Sequence, residues 1–393
     1  MIPMPAFLRF ACLVFSTFIV FTGPAIADQA SWALYKKNFM QADGRIIDTG
    51  NKDISHTEGQ GWSMMLAFAH DDQAAFDKIW EWTQNNLPKN KQGLFPWKWD
   101  PNTTPHVSDQ NNATDGDLMI AWSLLAASSK WNDPSYASAS AEIRAAILKN
   151  LRKTIADRTL LLPGVKGFEH DDTMVFNLSY FVLPAYKDFH AVDPAAGWDK
   201  LTSDALALIQ DARFGRFSLP PDWLQISDKG QLVPAPEWPP TFGYDAVRVP
   251  LFLIWGSEGG ADTIMPFGGF WGQFCSGQLP PAWINLQNAA YADYAAPRGM
   301  RAVQALTLGT PNLTTAPLPS DGDYYSSALF MLAQFVRQRG ANVNTPLTAA
   351  IRPDCTVDLE TDEKASGKSS ARSCRHGAAP VPDTSKSVAP PPC

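Results

Sequence analysis

The composition describes a folded, acidic protein that is rich in aromatic rings. The chain has 393 residues, of which 45% are hydrophobic and 18% are charged, so a wholly disordered protein is excluded. Acidic residues outnumber basic ones by 39 to 32, and this negative balance argues against a nucleic-acid partner. The 14 Trp, 22 Phe and 9 Tyr favour ligands that present flat apolar faces, as sugars do.

The first 27 residues have the pattern of an export signal. Arg9 is the one charged residue there, an apolar run covers 10–21, and small residues flank Ile26 as at a signal cleavage site. The apolar run is shorter than the roughly 20 residues that span a bilayer. The sequence therefore predicts cleavage before Asp28 and a periplasmic or secreted protein without stable membrane insertion.

Helical periodicity dominates residues 28–354. Apolar residues recur there at spacings of three and four residues, whereas sustained alternation with period two is scarce. No linker divides this region, so we predict a single all-α domain in which paired helices close into a ring, with long loops at one end. The predicted helices cover 33–40, 59–69, 72–87, 113–128, 135–155, 173–186, 194–212, 244–255, 261–274, 284–295, 301–308 and 324–339.

The composition changes at residue 355. Ser, Lys, Ala and Pro predominate over 355–393, which predicts a disordered tail. No cysteine has zinc-site spacing and the six histidines do not cluster, so we expect no metal and no cofactor. Four cysteines remain after signal cleavage, and in an oxidising compartment they allow three disulfide pairings; they are Cys275, Cys355, Cys374 and Cys393.

Acidic residues stand at three predicted junctions between a loop and a helix. Glu58 precedes GQGW at 59–62, where two glycines allow a ligand to approach the backbone. Asp115 and Asp117 follow two asparagines in NNATDGD at 111–117. The helix dipole stabilises a carboxylate at such a position, which is an alternative explanation for any one of these residues.

Asp245 is the acidic residue at the third junction. Arg248 follows it three residues later and would share its helical face, so the two could simply order a helix start. Among the aromatic residues, Trp97 and Trp99 lie in a predicted loop and could present rings to a sugar. The tryptophans within predicted helices are expected in the core; they are Trp80, Trp82, Trp122 and Trp131.

Acidic pairs beside aromatic loops suit the hydrolysis of glycosides. One carboxylic acid protonates the leaving oxygen, and one carboxylate activates water or attacks the sugar. The two carboxyl groups lie roughly 6.5–9.5 Å apart in inverting enzymes and about 5–5.5 Å apart in retaining ones. The spacing of residues along the sequence leaves both outcomes open.

Three sequence blocks carry a resemblance to a known family. ATDGDLMIAWSLLAA at 113–127, TEGQGW at 57–62 and GYDAVRVP at 243–250 resemble the motifs of glycoside hydrolase family 8. The resemblance implies an (α/α)6 barrel and an inverting, endo-acting hydrolase of β-1,4-linked glucan. Within that family, the sequence most resembles the periplasmic endoglucanases that accompany bacterial cellulose synthase.

The resemblance also implies roles for individual residues. Glu58 matches the general acid, Asp245 matches the general base that activates water, and Asp115 matches a residue that we interpret as binding and distorting the sugar. Asp117 is interpreted as structural support. The expected substrate-binding residues are Trp97, Trp99, Arg248 and Tyr324.

The expected partner is a β-1,4-glucan chain, and we expect a monomer that is functionally associated with a cellulose synthase complex. Two alternatives stay open at this point. The same fold could cleave another β-glycan, such as chitosan, lichenan or xylan. A non-catalytic glucan-binding subunit of an export complex is the other.

Overall fold

The computed structural model describes residues 29–274, 277–314, 316–339 and 355–359. The predicted export signal at 1–27 lies outside the described residues. Eleven α-helices occur in the described part of the chain: α1 (Gln29–Phe39), α2 (Thr57–Ala69), α3 (Gln73–Asn86), α4 (Thr114–Lys130), α5 (Pro134–Leu151), α6 (Leu183–Val192), α7 (Trp198–Asp211), α8 (Arg248–Gly256), α9 (Gly260–Trp271), α10 (Arg298–Leu308) and α11 (Tyr324–Gln338).

Six of these helices close into a ring. Contacts run from α2 to α4, α6, α8, α10 and α11 in turn, and α11 packs back against α2. The remaining helices pack outside the ring, with α3 on α2, α5 on α4, α7 on α6, α9 on α8 and α10, and α1 on α11. The predicted all-α (α/α)6 barrel is confirmed.

Short strands connect the helices in the described residues. Four small antiparallel sheets pair β1 with β2, β3 with β4, β5 with β6 and β7, and β8 with β9. The strands are β1 (Ser55–His56), β2 (Lys98–Trp99), β3 (Arg152–Ile155), β4 (Arg158–Leu161), β5 (Thr173–Phe176), β6 (Leu224–Ser227), β7 (Leu232–Pro234), β8 (Thr241–Phe242) and β9 (Ile284–Asn285).

One predicted helix, at 284–295, is wrong. The segment begins with β9 and continues as a loop. The Asn285 side chain accepts hydrogen bonds from the N–H groups of Gln287 and Asn288 at 2.9 and 3.1 Å, and such local side-chain acceptors compete with helix formation. The periodicity of the apolar residues was real, but the turn chemistry overrode it.

The predicted helix at 173–186 is wrong over most of its length. Residues Thr173–Phe176 form β5, and Leu178–Tyr180 form a 3-10 turn. The helix α6 begins only at Leu183, with Pro184 in its first turn, where the fixed φ of proline suits a helix start. Val175 and Phe176 also suit a strand, so the short apolar run was ambiguous.

Several other predicted helices have shifted ends, among them those at 135–155, 194–212 and 244–255. The prediction at 135–155 ends as α5 at Leu151, and the next four residues form β3. The prediction at 194–212 begins late, at Trp198, after Gly197 with a φ of +89°. Helix α8 starts at Arg248, so Asp245 lies in the turn before the helix and not in its first turn.

The helix-borne tryptophans pack in the interior. Trp80, Trp82 and Trp122 are buried, which confirms their predicted core role. Trp131 caps the C-terminus of α4 and is half-buried against the ring of Phe76, with ring centroids 5.1 Å apart. Much of the aromatic excess therefore stabilises the barrel.

The packed domain extends beyond the predicted boundary at residue 354. Cys355, Val357 and Leu359 are buried, and the Arg301 guanidinium donates to the Asp358 carbonyl oxygen at 2.6 Å. The predicted disordered tail is therefore wrong for 355–359, because alternate apolar residues there reach the core. Cys355 is disulfide-bonded. The rest of the predicted tail, 360–393, lies outside the described residues.

No helix in the described part of the chain is long and apolar enough to cross a membrane.

Candidate active site

Glu58 lies in the first turn of α2, where His56 caps the helix. The His56 ring accepts a hydrogen bond from the Gly59 N–H at 3.0 Å through Nδ1, and its Nε2 lies 3.3 Å from the Asp48 carboxylate. Burial alone would lower the pKa of His56, but the hydrogen bond and charge of Asp48 outweigh burial and raise it. The buried His56–Asp48 pair thus fixes the backbone that carries Glu58.

Asp115 reaches Glu58 because the starts of α2 and α4 touch. A Cβ atom on Gly116 would come within 2.1 Å of Thr57 Oγ1 and within 2.8 Å of the Glu58 nitrogen. Only glycine permits such a close approach. Gly116, at the centre of the DGD sequence at 115–117, is therefore required for this packing. The positions of Asp115 and Asp117 depend on it.

A methyl group at position 116 tests this contact. Gly116→Ala is expected to destabilise the protein by about 1–3 kcal/mol, the usual cost of overpacking, and to lower activity by displacing Glu58. Thermal or urea unfolding measures the first effect. Gly269→Ala is the matched control, because Gly269 is exposed within α9 and a Cβ there would meet no atom within 4 Å. That control should gain about 0.5–1 kcal/mol. Equal stability of the two variants would contradict the close contact.

Asp117 is fully buried. Its two oxygens accept hydrogen bonds from the Phe95 N–H at 3.0 Å and from the Asn112 side chain at 2.8 Å. Burial raises the pKa of Asp117 to about 7, although these hydrogen bonds lower it in part. Asp117 therefore fastens both ends of the loop 95–112 to the start of α4.

Arg248 joins all three predicted catalytic residues. One terminal nitrogen binds the Glu58 carboxylate and lies 3.4 Å from Asp115. The other terminal nitrogen lies 2.5 Å from Asp245. The Arg248 side chain is only 3% exposed, whereas that of Asp245 is 31% exposed. A single buried guanidinium thus gathers residues from α2, α4 and the turn before α8.

One positive charge faces three carboxyl groups, so the cluster favours retention of a proton. Burial and the like charge of Glu58 raise the pKa of Asp115 well above its ordinary value, although Arg248 acts in the opposite direction. Asp115 therefore keeps its proton at pH values where an exposed Asp has lost its own.

Two tyrosines that the sequence reasoning missed line this centre. The Arg248 guanidinium carbon lies 5.8 Å from the centre of the buried Tyr180 ring, and the Tyr325 hydroxyl donates to the Tyr244 carbonyl oxygen. Burial, and then the negative charge of Asp115, raise the pKa of Tyr180 well above its ordinary value. Tyr180 lies in the 3-10 turn Leu178–Tyr180, so no periodic signal marked it.

The two loop tryptophans predicted to bind sugar, Trp97 and Trp99, have different environments. Trp97 is half-buried, its carbonyl oxygen accepts from the Thr57 N–H at 3.0 Å, and its indole donates to Asp109 at 2.8 Å. Its backbone is therefore adjacent to Glu58. The Trp99 ring instead packs against Trp82, Arg45 and His106, and these contacts occupy much of its surface.

Tyr324 lies beneath the site and has no exposed surface. Its ring packs edge-on against His56, with centroids 5.5 Å apart, and a Cβ on Gly59 would approach its hydroxyl to 3.2 Å. The structure thus corrects the substrate-binding role predicted for Tyr324, because a residue without exposed surface supports the helix start and offers no face to a sugar.

No group of three metal-ligating side chains occurs within the described residues. The centre consists of carboxyl groups, one guanidinium and aromatic rings. Paired carboxyl groups of this kind carry out acid–base hydrolysis of a glycosidic bond. A helical ring that brings these groups together at the starts of its inner helices defines a glycoside hydrolase.

Comparison with known proteins gives the family. The sequence model described as "Glycosyl hydrolases family 8" matches residues 2–339, and the chain belongs to that family, as its three motifs indicated. An endoglucanase of Cellulomonas uda is 42% identical over 77% of this chain and 84% of its own length. A probable endoglucanase of Novacetimonas hansenii is 36% identical over 80% and 91%, respectively.

Solved structures agree with the fold. The family 8 endoglucanase Cel10 of Klebsiella pneumoniae superimposes with a TM-score of 0.76 at 41% identity, over 79% of this chain and 99% of that one. The endo-β-1,4-glucanase CMCax of Acetobacter xylinum has a TM-score of 0.74 at 36% identity, over 80% and 98%.

Proposed function

We propose that the chain is an endo-1,4-β-D-glucanase that hydrolyses internal bonds of cellulose by an inverting acid–base mechanism. The observation that carries this proposal is the joining of Glu58, Asp115 and Asp245 by one buried arginine. The names of the similar enzymes support β-1,4-glucan as the substrate.

Glu58 is the general acid and Asp245 the general base. Glu58 donates its proton to the glycosidic oxygen as the bond from that oxygen to the anomeric carbon breaks, while Asp245 takes a proton from the water that attacks that carbon from the other face. Glu58 lies beside Asp115 at the same terminal nitrogen of Arg248, and the exposure of Asp245 allows that residue to contact water. Proton exchange with solvent restores both groups.

Inversion is supported by the position of Arg248. Glu58 and Asp245 bind different terminal nitrogens of the same guanidinium, so a positively charged group lies between the two carboxylates. A guanidinium inserted between the two carboxylates keeps them apart, which suits the wider carboxyl separation of inverting enzymes.

The remaining predicted residues bind the substrate or support the centre. Asp115, beside the acid, binds and distorts the sugar at the point of cleavage. Trp97 offers a ring next to the start of α2, and Trp99 stiffens that loop from behind. Arg248 holds the carboxylates in place and sets the charge that the sugar meets.

The enzyme acts outside the cytoplasm as a monomer, in association with cellulose synthesis. The N-terminal pattern of an export signal supports this location, and so does the disulfide bond of Cys355, because disulfides persist in oxidising compartments.

Assays on several glucans test the substrate and the mode of attack. We expect carboxymethyl cellulose to lose viscosity well before monomer is released, since an endo-acting enzyme cuts internal bonds. Proton NMR of the first product should show the α-anomer, because inversion of a β-bond gives that configuration. Chitosan serves as the comparison polymer.

Cleavage of chitosan alone would refute the substrate assignment. A β-anomeric first product would refute inversion but leave the hydrolase assignment intact. A protein that binds glucan without shortening it would be the non-catalytic subunit.

A further inference from the structure

The turn that carries the proposed base is held by a second carboxylate, that of Asp222. Asp222 lies immediately before the Trp223–β6 segment, and its own N–H donates to the Thr241 carbonyl oxygen at 2.7 Å. This backbone contact brings its side chain next to the segment 243–246, which precedes α8. Neither the motifs nor the periodicity of the sequence marked Asp222.

One oxygen of Asp222 binds three backbone N–H groups of the turn. Oδ1 accepts from Gly243 at 3.0 Å, from Asp245 at 3.1 Å and from Ala246 at 2.8 Å. Converging N–H groups of this kind form an anion-binding nest. The other oxygen, Oδ2, accepts from the Thr241 hydroxyl at 2.9 Å. Both oxygens of the carboxylate are thus used to shape the turn.

The fit around this carboxylate is close. A Cβ on Gly243 would lie 3.0 Å from Asp222 Oδ2 and 3.1 Å from the Trp283 Cβ, so a larger residue at 243 would push the turn away. The turn leads directly into α8, since the Arg248 N–H donates to the Asp245 carbonyl oxygen at 3.0 Å. Displacement of the nest would therefore move Asp245 relative to Arg248.

The Asp222 carboxyl group is buried beside a second acidic side chain, that of Asp245, which is an electrostatically unfavourable position. Burial, and then the negative charge of Asp245, raise the pKa of Asp222 to about 7, while its hydrogen bonds to Ala246, Thr241 and Gly243 lower it. An acidic side chain placed beside another acid is costly. The hydrogen bonds that Asp222 accepts from the turn offset part of that cost.

We propose that Asp222 is a positioning residue for catalysis, whose carboxylate fixes the backbone of Asp245 so that the Asp245 side chain meets the attacking water. Two anchors then hold the base, Asp222 at its backbone and Arg248 at its carboxylate. This inference rests on the proposed role of Asp245 as the base. It assigns Asp222 no contact with the sugar.

Asp222→Asn tests the proposal with little change in shape. The neutral amide is a weaker acceptor for three N–H groups, and a displacement of about 1 Å costs about 100-fold in rate. We expect kcat on cellohexaose to fall by about 10–100-fold, with KM close to that of the native enzyme. Asp204→Asn is the matched control, because Asp204 also accepts a backbone N–H, from Thr159 at 2.7 Å, on the outer helix α7. That control should keep native turnover.

A double-mutant cycle separates positioning from general damage. If Asp222 acts through Asp245, Asp222→Asn should cause little further loss in an Asp245→Asn background, since residues that act as a unit are not additive. Equal losses in both backgrounds would overturn the proposal, and so would native kcat in Asp222→Asn. If Asp245→Asn itself keeps native activity, the base assignment fails instead.

Thr241→Val provides a second variant if Asp222→Asn does not fold. It retains the carboxylate and removes one hydrogen bond to Oδ2. We expect a several-fold fall in kcat with an unchanged KM. Native kcat in this variant, in a protein of native stability, would also overturn the proposal.

Discussion

Glu58→Gln is expected to lower kcat on a soluble cellulose derivative by about 10²–10⁴-fold, the usual contribution of general acid catalysis. The amide keeps the shape of the side chain but has no proton to give to the leaving oxygen. Initial rates of reducing-end release measure the loss. KM should change little, because the proton is transferred only in the transition state.

A substrate whose leaving group needs no protonation shows whether Glu58 acts as the acid. In a cellobioside of a strongly acidic phenol, the phenolate departs without protonation, so Glu58→Gln should hydrolyse this substrate at close to the native rate. Glu169→Gln is the matched control, because Glu169 is an exposed residue that pairs with Lys153, and its turnover should stay native. Unchanged turnover of Glu58→Gln on the cellulose derivative would refute the acid assignment.

Arg248→Leu is expected to destabilise the protein by about 3–5 kcal/mol at neutral pH, the cost of removing one partner of a buried ion pair. The change leaves Glu58 and Asp115 close together without their shared cation. Activity should fall below detection, since the base also loses its side-chain anchor. Urea unfolding at several pH values measures the stability.

The pH dependence of this deficit has a definite sign. The pKa of Asp115 is already raised in the folded protein, and removal of Arg248 raises it further. A carboxyl group with a raised folded-state pKa opposes folding as the pH rises through its unfolded value, about 3.9. The deficit of Arg248→Leu should therefore be large at pH 7 and shrink as the pH falls toward 4.

A surface pair serves as the comparison for this variant. Arg158 lies 2.5 Å from the half-exposed Asp211, and Arg158→Leu should cost no more than about 1 kcal/mol, as for other exposed pairs. A deficit in Arg248→Leu that is equally small, or that grows toward acid pH, would contradict the charge balance described for the centre.

The sequence predicted the barrel, and it marked the carboxylates that the fold brings together, because both depend on local patterns. Glu58 and Asp115 stand beside glycines at the starts of strongly apolar helices, and this local pattern, together with the family motifs, marked those positions before any contact was known. The predicted helix at 284–295 failed because one asparagine side chain, Asn285, redirected the backbone.

The parts of the site that the sequence did not predict arise from contacts between distant segments. Tyr180 lies in a short 3-10 turn and Asp222 in a loop, and their importance depends on which charges surround them after folding. Tyr324 shows the opposite error: its type and position suggested a sugar contact, but packing against His56 buries it.

The contact at Gly116 has a mechanical consequence. Because the starts of α2 and α4 meet without a side chain between them, Glu58 and Asp115 form one stiff wall of the centre. The opposite wall, which carries Asp245, rests on a turn held by hydrogen bonds. Hydrogen bonds lengthen more readily than backbones in van der Waals contact can be compressed. We therefore expect a bound sugar ring to displace Glu58 and Asp115 less than it displaces the turn that carries Asp245.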